Sequence, residues 1–377
     1  MATMTTRVLA SMDTGVDDAL ALAYLAAAPG CELLGVIGTY GNVAMPTAVR
    51  NTRYVLSLLG AGQVPVLAGS AHPTWADAFV PDAGCAAFHG PDGLGGCGPA
   101  SGGTPGAGAV PADAAPPVGV VSVGGYPWGD PHANPARTAP QPEDGDAAAD
   151  GIDFLVEQVR RHGRGLTVLA TGPLTDVAEA LRRAPDIAPR LRLVMMGGSL
   201  TQPGNCWDAV AETNVIQDPQ AADRVFHSGA DVTMVGLDVT HRCLLGPDAV
   251  RRWRGRAGEA SPLRVLADMA DFSILANRRA DPALFAGGMP LHDPLAAAVA
   301  LDPTLVTTVD LAMRAETRTA DGHGVRGRTI GDPTGLVDPA VPRTHVALGV
   351  DADRFLGLFA DRLAMWADRA MPAPSAC

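Results

Sequence analysis

The chain has 377 residues, of which 47% are hydrophobic, so it can bury the core of one large domain or of two ordinary ones. Its formal net charge of −12 argues against a nucleic acid or an anionic membrane as its partner. The sequence contains no lysine, which excludes Schiff-base chemistry on lysine and a P-loop of the usual type.

The predicted elements alternate between strands and helices along the chain. Strands are predicted at residues 7–12, 31–37, 64–67, 166–170, 191–196, 232–239, 304–311 and 345–349. Helices are predicted at residues 16–28, 45–59, 247–254, 262–279, 294–301 and 351–370. Because the strands are continuous apolar runs, we expect an α/β fold with an open, mostly parallel sheet flanked by helices.

One segment interrupts this pattern. Residues 95–150 are dominated by Gly, Ala, Pro and Asp, a composition that cannot supply much core. We interpret the segment as a surface insertion, with a lid over a pocket as the alternative. The whole chain, residues 1–377, is otherwise expected to form a single domain.

The cysteines and the absence of export signals bear on the compartment. The six cysteines are scattered without a Cys-x-x-Cys pair, which favours free thiols over a zinc site or a disulfide framework. Neither an N-terminal signal peptide nor a long apolar span is visible. We therefore expect a cytoplasmic protein that contacts no membrane.

Three carboxylates, Asp13, Asp17 and Asp18, lie within six residues after the first predicted strand. Open α/β sheets bind their ligands at the carboxyl ends of strands. Crowded carboxylates raise each other's pKa, and a hard cation with oxygen ligands would relieve that repulsion. The ordinary alternative is that Asp13 or Thr14 caps the next helix while Asp17 and Asp18 favour its dipole.

Further polar residues follow other predicted strands or open helices. They are Asn42, His89, Thr171, Asn205, Glu212, Asn214, His292 and Asp293. Each has an ordinary explanation on its own: Asp293 precedes Pro294 as an N-cap would, Asn214 suits a turn, and His89 suits a solvated loop. Thr171 could expose a backbone carbonyl after its strand.

Taken together, these residues resemble the nucleoside hydrolase family, the inosine- and uridine-preferring nucleoside N-ribohydrolases. The most specific segment is the N-terminal Asp-x-Asp-x-Gly-x-Asp-Asp motif, here at residues 11–18. Other segments follow in the family's order: Ala-Thr-Gly-Pro-Leu-Thr at 170–175, Met-Gly-Gly at 196–198, Ala-Glu-Thr-Asn at 211–214, Leu-Asp-Val-Thr-His at 237–241 and Leu-His-Asp-Pro at 291–294. The resemblance spans residues 8 to about 363, with residues 95–150 as the main gap.

This resemblance implies a Rossmann-like fold and a calcium-dependent N-glycosidase. Such an enzyme hydrolyses ribonucleosides to ribose and free base with a calcium-bound water. The implied Ca²⁺ ligands are Asp13, Asp18, the carbonyl of Thr171, and Asp293, with Asp13 also the general base. The resemblance further implies a homodimer or homotetramer whose only other partner is a small-molecule ribonucleoside.

The resemblance also implies a set of substrate contacts. Asp17 and Asn214 would hold ribose hydroxyls, and Asn205 and Glu212 would reach the 5′-hydroxyl. Asn42 and Met196 would line the ribose pocket. His89 and His292 would lie nearer the nucleobase, with His292 as a candidate acid for the leaving group.

Several positions depart from the family pattern. Ser11 stands where the motif has its first aspartate, Thr14 replaces a proline, and Thr213 replaces a common aromatic residue. The loop at residues 205–212 is one residue longer than expected. No tyrosine occurs between Phe272 and Pro290 for the nucleobase side, so the sequence leaves base preference open.

Two other functions remain as alternatives. The departures above motivate a non-catalytic nucleoside-binding or sensor protein with the same pocket. A metal-dependent phosphohydrolase could also use an aspartate cluster, with nucleophile and acid two residues apart. That second alternative is disfavoured, because Ser11 occupies the nucleophile's position and no lysine can neutralise a phosphoryl group.

Overall fold

The fold is known from a computed structural model that describes residues 5–99, 150–205, 209–258, 261–318, 325–336 and 339–370. The predicted insertion at 95–150 therefore lies outside the described residues, apart from residues 95–99 and 150. Within the described ranges, none of the helices is both long and apolar enough to cross a membrane.

A nine-stranded sheet runs through the described residues in the order β10-β9-β11-β6-β5-β4-β1-β2-β3. Its strands are β1 (Thr6–Met12), β2 (Cys31–Gly38), β3 (Val66–Ala68), β4 (Leu166–Ala170), β5 (Arg192–Met196), β6 (Asp231–Val235), β9 (Val306–Ala315), β10 (Thr329–Asp332) and β11 (Arg343–Val350). Neighbours pair in parallel except that β9 is antiparallel to β10 and β11. Two short strands, β7 (Leu244–Leu245) and β8 (Met289–Pro290), form a separate antiparallel pair. The predicted open, mostly parallel sheet is confirmed.

Helices cover both faces of this sheet. They are α1 (Val16–Ala27), α2 (Met45–Leu58), α3 (Ala83–His89), α4 (Gly151–His162), α5 (Thr175–Arg183), α6 (Thr213–Gln217), α7 (Pro219–Phe226), α8 (Leu237–Thr240), α9 (Pro247–Arg256), α10 (Pro262–Ala280), α11 (His292–Leu301) and α12 (Ala352–Ala370). Alternate residues of β1 enter different apolar clusters: Val8 and Ala10 join the one built on α1, and Leu9 joins the one built on α4 and α5. Burial on both faces explains why the strands are continuously apolar.

The strand order places a topological switch between β1 and β4. The chain moves from β1 outward to β3, then returns to β4 on the other side of β1. In open α/β sheets such a switch leaves a crevice beyond the carboxyl ends of the strands, where ligands bind. The acidic motif follows β1 and Thr171 follows β4, so both lie at this crevice.

Several predicted strand boundaries are wrong. The run at 232–239 is a strand only to Val235, after which Gly236 turns the chain into the short helix α8. The N–H of Leu237 donates to the carbonyl of Gly198 at 2.9 Å. A Cβ on Gly236 would lie 2.5 Å from that same oxygen, so the turn depends on glycine. Similarly, β3 begins at Val66 and not at Val64, which lies in a turn before Pro65.

Candidate active site

Four buried carboxylates converge at the switch between β1 and β4. Asp13 follows β1, Asp17 and Asp18 lie in the first turn of α1, and Asp293 is the second residue of α11. Asp13 and Asp18 are 0% exposed, Asp293 2% and Asp17 8%. Carboxylate oxygens of Asp17, Asp18 and Asp293 lie within 4.8 Å of one another. Asp13 is outside that trio, although its charge interacts with Asp18.

Helix capping does not account for these carboxylates. The N-cap of α1 is Gly15, not Asp13 or Thr14, so the capping alternative for those two residues is wrong. Asp17 and Asp18 do lie in the first turn of α1, where they favour its dipole, and Asp18 also accepts the N–H of Gly15 at 2.8 Å. The N-cap of α11 is Leu291, so Asp293 is not an N-cap either. The helix ends therefore do not explain why carboxylates from three separate segments meet in one place.

Glycines allow the tight approach of the segments around Asp13. The Oδ2 atom of Asp13 accepts the N–H of Asn42 at 2.6 Å. A Cβ on Gly41, which has φ of +155°, would lie 2.0 Å from that Oδ2 atom. Gly15 is needed for a similar reason, because its Cβ would lie 2.5 Å from Nδ1 of His89. The Oδ1 atom of Asp13 is buried and has no hydrogen-bond partner among the described residues.

Burial makes ionisation of the clustered carboxyls unfavourable. Burial, followed by the charge of Asp18, raises the pKa of Asp13 well above its usual range. Burial and the charge of Asp17 raise the pKa of Asp18 to about 6. Burial also raises the pKa of Asp17, and burial together with the charges of Asp17 and Asp18 raises the pKa of Asp293 well above its usual range.

His89 does not neutralise the cluster. Its Nδ1 atom lies 3.7 Å from Oδ1 of Asp17, within the range of an ion pair. However, burial lowers the pKa of His89 to about 4, so the ring is neutral at pH 7. Its Nδ1 atom accepts the N–H of Val16 at 3.2 Å, which also requires an unprotonated nitrogen. His89 ends helix α3 and is not the solvated loop residue of the ordinary interpretation.

These residues fit a hard cation. The donor set is carboxylate and carbonyl oxygen, the ligands that Ca²⁺ prefers. Two of the carboxylate oxygens, Oδ1 of Asp13 and Oδ1 of Asp17, are buried without a partner in the described part of the chain. Buried polar atoms rarely lack a hydrogen-bond partner. Two such carboxylate oxygens side by side with the other acids therefore indicate a binding place for a positive group.

Thr171 joins the cluster from the end of β4. Its Oγ1 atom donates to Oδ1 of Asp18 at 2.6 Å. Its carbonyl oxygen, the predicted metal ligand, accepts Nδ2 of Asn214 at 2.7 Å. A carbonyl has two lone pairs, so this bond leaves one free. The amide of Asn214 also donates to the carbonyl of Met196 at 3.1 Å, which links β5 to the site.

Glu212 orders the loop that carries Asn214. It is the N-cap of α6, and its carboxylate accepts the N–H groups of Gly198 at 3.0 Å, Asn214 at 3.0 Å and Val215 at 3.2 Å. Burial nevertheless raises its pKa to about 7. Asn205 lies beside this loop, where its Oδ1 atom accepts the N–H of Thr213 at 2.9 Å.

A cavity of about 270 Å³ opens next to the acids. Ten of the sequence-predicted site residues line it: Asp17, Asn42, His89, Thr171, Met196, Asn205, Glu212, Asn214, His292 and Asp293. Asp13 and Asp18 are not among the lining residues and are fully buried beside it. The structure thus brings all the candidate residues to one pocket and its wall.

The remaining wall includes a histidine that the sequence analysis did not select. His241, at the C-cap of α8, lines the cavity, and its ring lies 5.6 Å from that of His292 and 5.6 Å from that of Phe285. Its Nε2 atom is buried with no partner among the described residues. His292 is oriented by Thr240, whose Oγ1 atom lies 2.8 Å from Nδ1. The Leu-Asp-Val-Thr-His segment was the available signal for His241.

Aromatic and polar side chains complete this part of the cavity. Phe88 and Phe285 supply rings where no tyrosine is present, and Ser273, Asn277 and Asp281 supply polar groups. Asn277 donates Nδ2 to the carbonyl of Ser273 at 2.9 Å. The wall is therefore suited to a flat ring with polar edges.

Comparison with known proteins gives a consistent result. A family model described as inosine-uridine preferring nucleoside hydrolase matches residues 8–357. The chain is 30% identical over 361 residues to the pyrimidine-specific ribonucleoside hydrolase RihA of Klebsiella pneumoniae, covering 96% of this chain and 99% of the relative.

Solved structures give the same picture. The chain is similar to a purine-preferring ribonucleoside hydrolase from Gardnerella vaginalis, with a TM-score of 0.76, 39% identity, and coverage of 97% of this chain and 100% of the other. An inosine-uridine preferring nucleoside hydrolase from Bacillus anthracis has a TM-score of 0.65 at 22% identity, covering 96% of this chain and 100% of the other, which supports the fold.

Proposed function

Because this chain belongs to the inosine-uridine preferring nucleoside hydrolase family, we propose that its pocket cleaves ribonucleosides with the help of a bound calcium ion. The chain is a ribonucleoside hydrolase, which releases ribose and a free base by hydrolysis of the N-glycosidic bond. The observation that carries the calcium proposal is the group of buried acids beside the pocket, where two carboxylate oxygens have no partner among the residues that the structure describes.

The ion would be held by Asp13, Asp18, Asp293 and the carbonyl oxygen of Thr171. The proximity of Asp17 to Asp18 and Asp293 puts a further carboxylate at the same place, and we assign it to the ribose. When bound, a calcium ion supplies positive charge and Lewis acidity, which orient and acidify an attacking water and template the sugar diol.

Asp13 is proposed as the general base. The N–H of Asn42 fixes Oδ2 at 2.6 Å, so Oδ1 is the atom left to receive the proton of the attacking water. A positioned base of this kind contributes roughly 10²–10⁴-fold to a rate. Attack by water as the base departs corresponds to the inverting form of glycoside hydrolysis.

The ribose would lie between the acids and the loop ordered by Glu212. Asp17 and Asn214 are proposed to hold its hydroxyls, while Asn205 and Glu212 reach its 5′ end. The anchoring of Asn214 to two carbonyls limits the positions its side chain can adopt. Carboxylates beside the sugar favour the positive charge that develops at C1′ in an oxocarbenium-like transition state.

The leaving nucleobase would face His292 and His241. Burial lowers the pKa of His241 and places that of His292 well below its usual range, so both rings are neutral at pH 7. A neutral imidazole still carries one N–H donor. We propose that His241, whose Nε2 atom has no partner in the described part of the chain, hydrogen-bonds the departing base, and that His292 is held in place by Thr240.

The nucleobase preference of the enzyme can be measured with a panel of nucleosides. The relative from Klebsiella pneumoniae is named pyrimidine-specific, whereas the Gardnerella vaginalis enzyme is named purine-preferring. We therefore propose a panel of inosine, adenosine, guanosine, uridine and cytidine, with free ribose as the readout. Each reaction is run with added Ca²⁺ and after chelation.

One result would support the proposal, and two would contradict it. Ribose release that stops on chelation and returns with Ca²⁺ supports the calcium-dependent hydrolase. Undiminished release in chelator contradicts the role of the ion. Calorimetric binding of nucleosides without any release would instead support a sensor protein, the alternative motivated by Ser11 and the other motif departures.

The thiols and the net charge bear on the cellular setting. Cys31, Cys97 and Cys243 are free thiols, which suits a reducing compartment such as the cytoplasm. The charge of −12 disfavours nucleic acid and anionic membranes as partners. We propose a cytoplasmic homodimer or homotetramer of one hydrolase domain that acts in nucleoside salvage.

A further inference from the structure

A buried contact between Ser11 and Asp176 joins two elements beside the acid cluster. Ser11 lies in β1, two residues before Asp13, and its Oγ atom donates to Oδ2 of Asp176 at 2.8 Å. Asp176 lies in the first turn of α5 and is 0% exposed. Its Oδ1 atom accepts the N–H of Ser70 at 2.7 Å. One carboxylate therefore connects the end of β1, the segment after β3 and the start of α5.

The contact extends to the residues assigned to the ion. The carbonyl oxygen of Ser11 accepts the N–H of Thr171 at 2.9 Å. Thr171 in turn donates its hydroxyl to Asp18 at 2.6 Å. A displacement of Ser11 would consequently move Asp13 along β1 and Thr171 at the end of β4 together.

The surroundings of Asp176 are built to accept a carboxylate. A Cβ on Gly69 would lie 2.5 Å from its Oδ2 atom, so only glycine leaves room there. No ion pair of Asp176 occurs within the described ranges. Burial raises its pKa, and the hydrogen bonds from Ser70 and Ser11 oppose that rise. Hydrogen bonds from Ser11 and Ser70, together with the N-terminal end of α5, therefore stabilise the ionised form of Asp176.

Ser11 stands at the position where the family motif has its first aspartate. An aspartate at that position would place two buried carboxylates at hydrogen-bond distance, and such like-charge pairs are strongly unfavourable. Serine offers Asp176 a donor. The carboxylate that β1 lacks is thus present in the same contact, but it is contributed by α5.

From this geometry we propose that Asp176 is a positioning residue, which replaces the carboxylate absent from position 11 and holds β1 so that Asp13 and Thr171 meet the cation site. The proposal rests on the proposed function of that site. It assigns no chemical step to Asp176, which acts through Ser11.

A double-mutant cycle tests whether the carboxylate and its hydrogen-bond donor can be exchanged between positions 11 and 176. The proteins are the wild type, Ser11→Asp, Asp176→Asn and the double variant Ser11→Asp/Asp176→Asn. In the double variant the new amide can donate to the new carboxylate and still accept the N–H of Ser70. Thr167→Ala serves as the control, because Thr167 is a buried hydroxyl residue of the adjacent strand β4.

Calorimetry with CaCl₂ on the chelated proteins measures ion affinity, and ribose release at saturating Ca²⁺ gives kcat and KM. We expect Ser11→Asp to weaken Ca²⁺ binding about tenfold and to lower kcat about 10²-fold, since misplacing a catalytic group by about 1 Å has effects of that size. KM should change less than kcat. The double variant should have a kcat at least tenfold higher than that of Ser11→Asp. Each substitution alone should lower kcat or leave it unchanged.

If the loss of kcat in the double variant equals the product of the losses in the two single variants, the proposal is overturned. If Ser11→Asp does not fold but the double variant does, the rescue of folding supports the exchange. If neither folds, Ser11→Ala replaces them: weaker Ca²⁺ binding than in Thr167→Ala supports the proposal, and equal binding overturns it. A wild type that releases no ribose would refute the proposed function, while the Ca²⁺ titrations would still decide the positioning role.

Discussion

Removing the cation should make the stability of this protein depend on pH in a specific direction. The four acids of the cluster are buried, and the His89 ring beside Asp17 is neutral at pH 7. For Asp18, the pKa moves from an ordinary 3.8 to about 6. A carboxyl with a raised pKa makes the folded state bind more protons than the unfolded state between those two values. Stability is therefore lost as the pH rises from about 4 through about 6.

The size of this effect follows from the same shift. Moving one carboxyl pKa from 3.8 to about 6 corresponds to about 3 kcal/mol of unfolding free energy at pH 7.5. For 377 residues the unfolding entropy is about 0.8 kcal/mol/K, so 3 kcal/mol corresponds to a Tm change of about 4 °C. The other three acids are shifted in the same direction and add to it.

Differential scanning fluorimetry with and without Ca²⁺, between pH 5 and pH 7.5, measures this effect. Because the unfolded pKa of Asp18 lies below pH 5, this residue alone should cost the chelated protein about 2 °C of Tm over this range relative to the Ca²⁺-loaded protein, and the other three acids add to that loss. Asp293→Asn should reduce that difference, whereas Asp361→Asn, an exposed carboxylate on α12, should leave it unchanged. A Tm difference between loaded and chelated protein that stays constant over this range would refute the reasoning.

Three substitutions test the assigned roles. Asp13→Asn should lower kcat for ribose release by about 10²–10⁴-fold while raising the Tm of the chelated protein, because it removes a buried charge; an unchanged kcat would exclude Asp13 as the base. His241→Ala should slow natural nucleosides by about 10²-fold but spare p-nitrophenyl riboside, whose leaving group needs no proton; equal losses on both substrates would exclude that role. Asn214→Ala should raise KM about tenfold through the lost ribose contact, as measured by initial rates, and an unaltered KM would contradict that contact.

Local patterns in the sequence were sufficient for the elements that hold the acids. The apolar run before Asp13 and the small apolar residues after Asp18 predict β1 and α1 to within a residue. Periodicity carries no information on which strands become neighbours. The position of β4 beside β1, which brings Thr171 to Asp18, follows from packing across the whole chain.

Contacts distant in sequence explain what the patterns did not predict. The 232–239 run reads as one strand, but the carbonyl of Gly198 turns the chain at Gly236 and so places His241 at the pocket. The pairing of Ser11 with Asp176 joins residues that are 165 positions apart. In the sequence, Ser11 is visible only as a departure from a motif, and its partner is not visible at all.

The charge balance of the site explains why a divalent cation suits both stability and catalysis. Helices α1 and α11 begin at the cluster, with Asp17 and Asp18 in the first turn of one and Asp293 in the first turn of the other. Each helix N-terminus contributes about +0.5 of a charge, so the two offset about one of the four negative charges. A divalent ion would leave the ionised cluster at about −1. That residual negative charge faces the pocket, where a positive charge at C1′ would be stabilised as the glycosidic bond breaks.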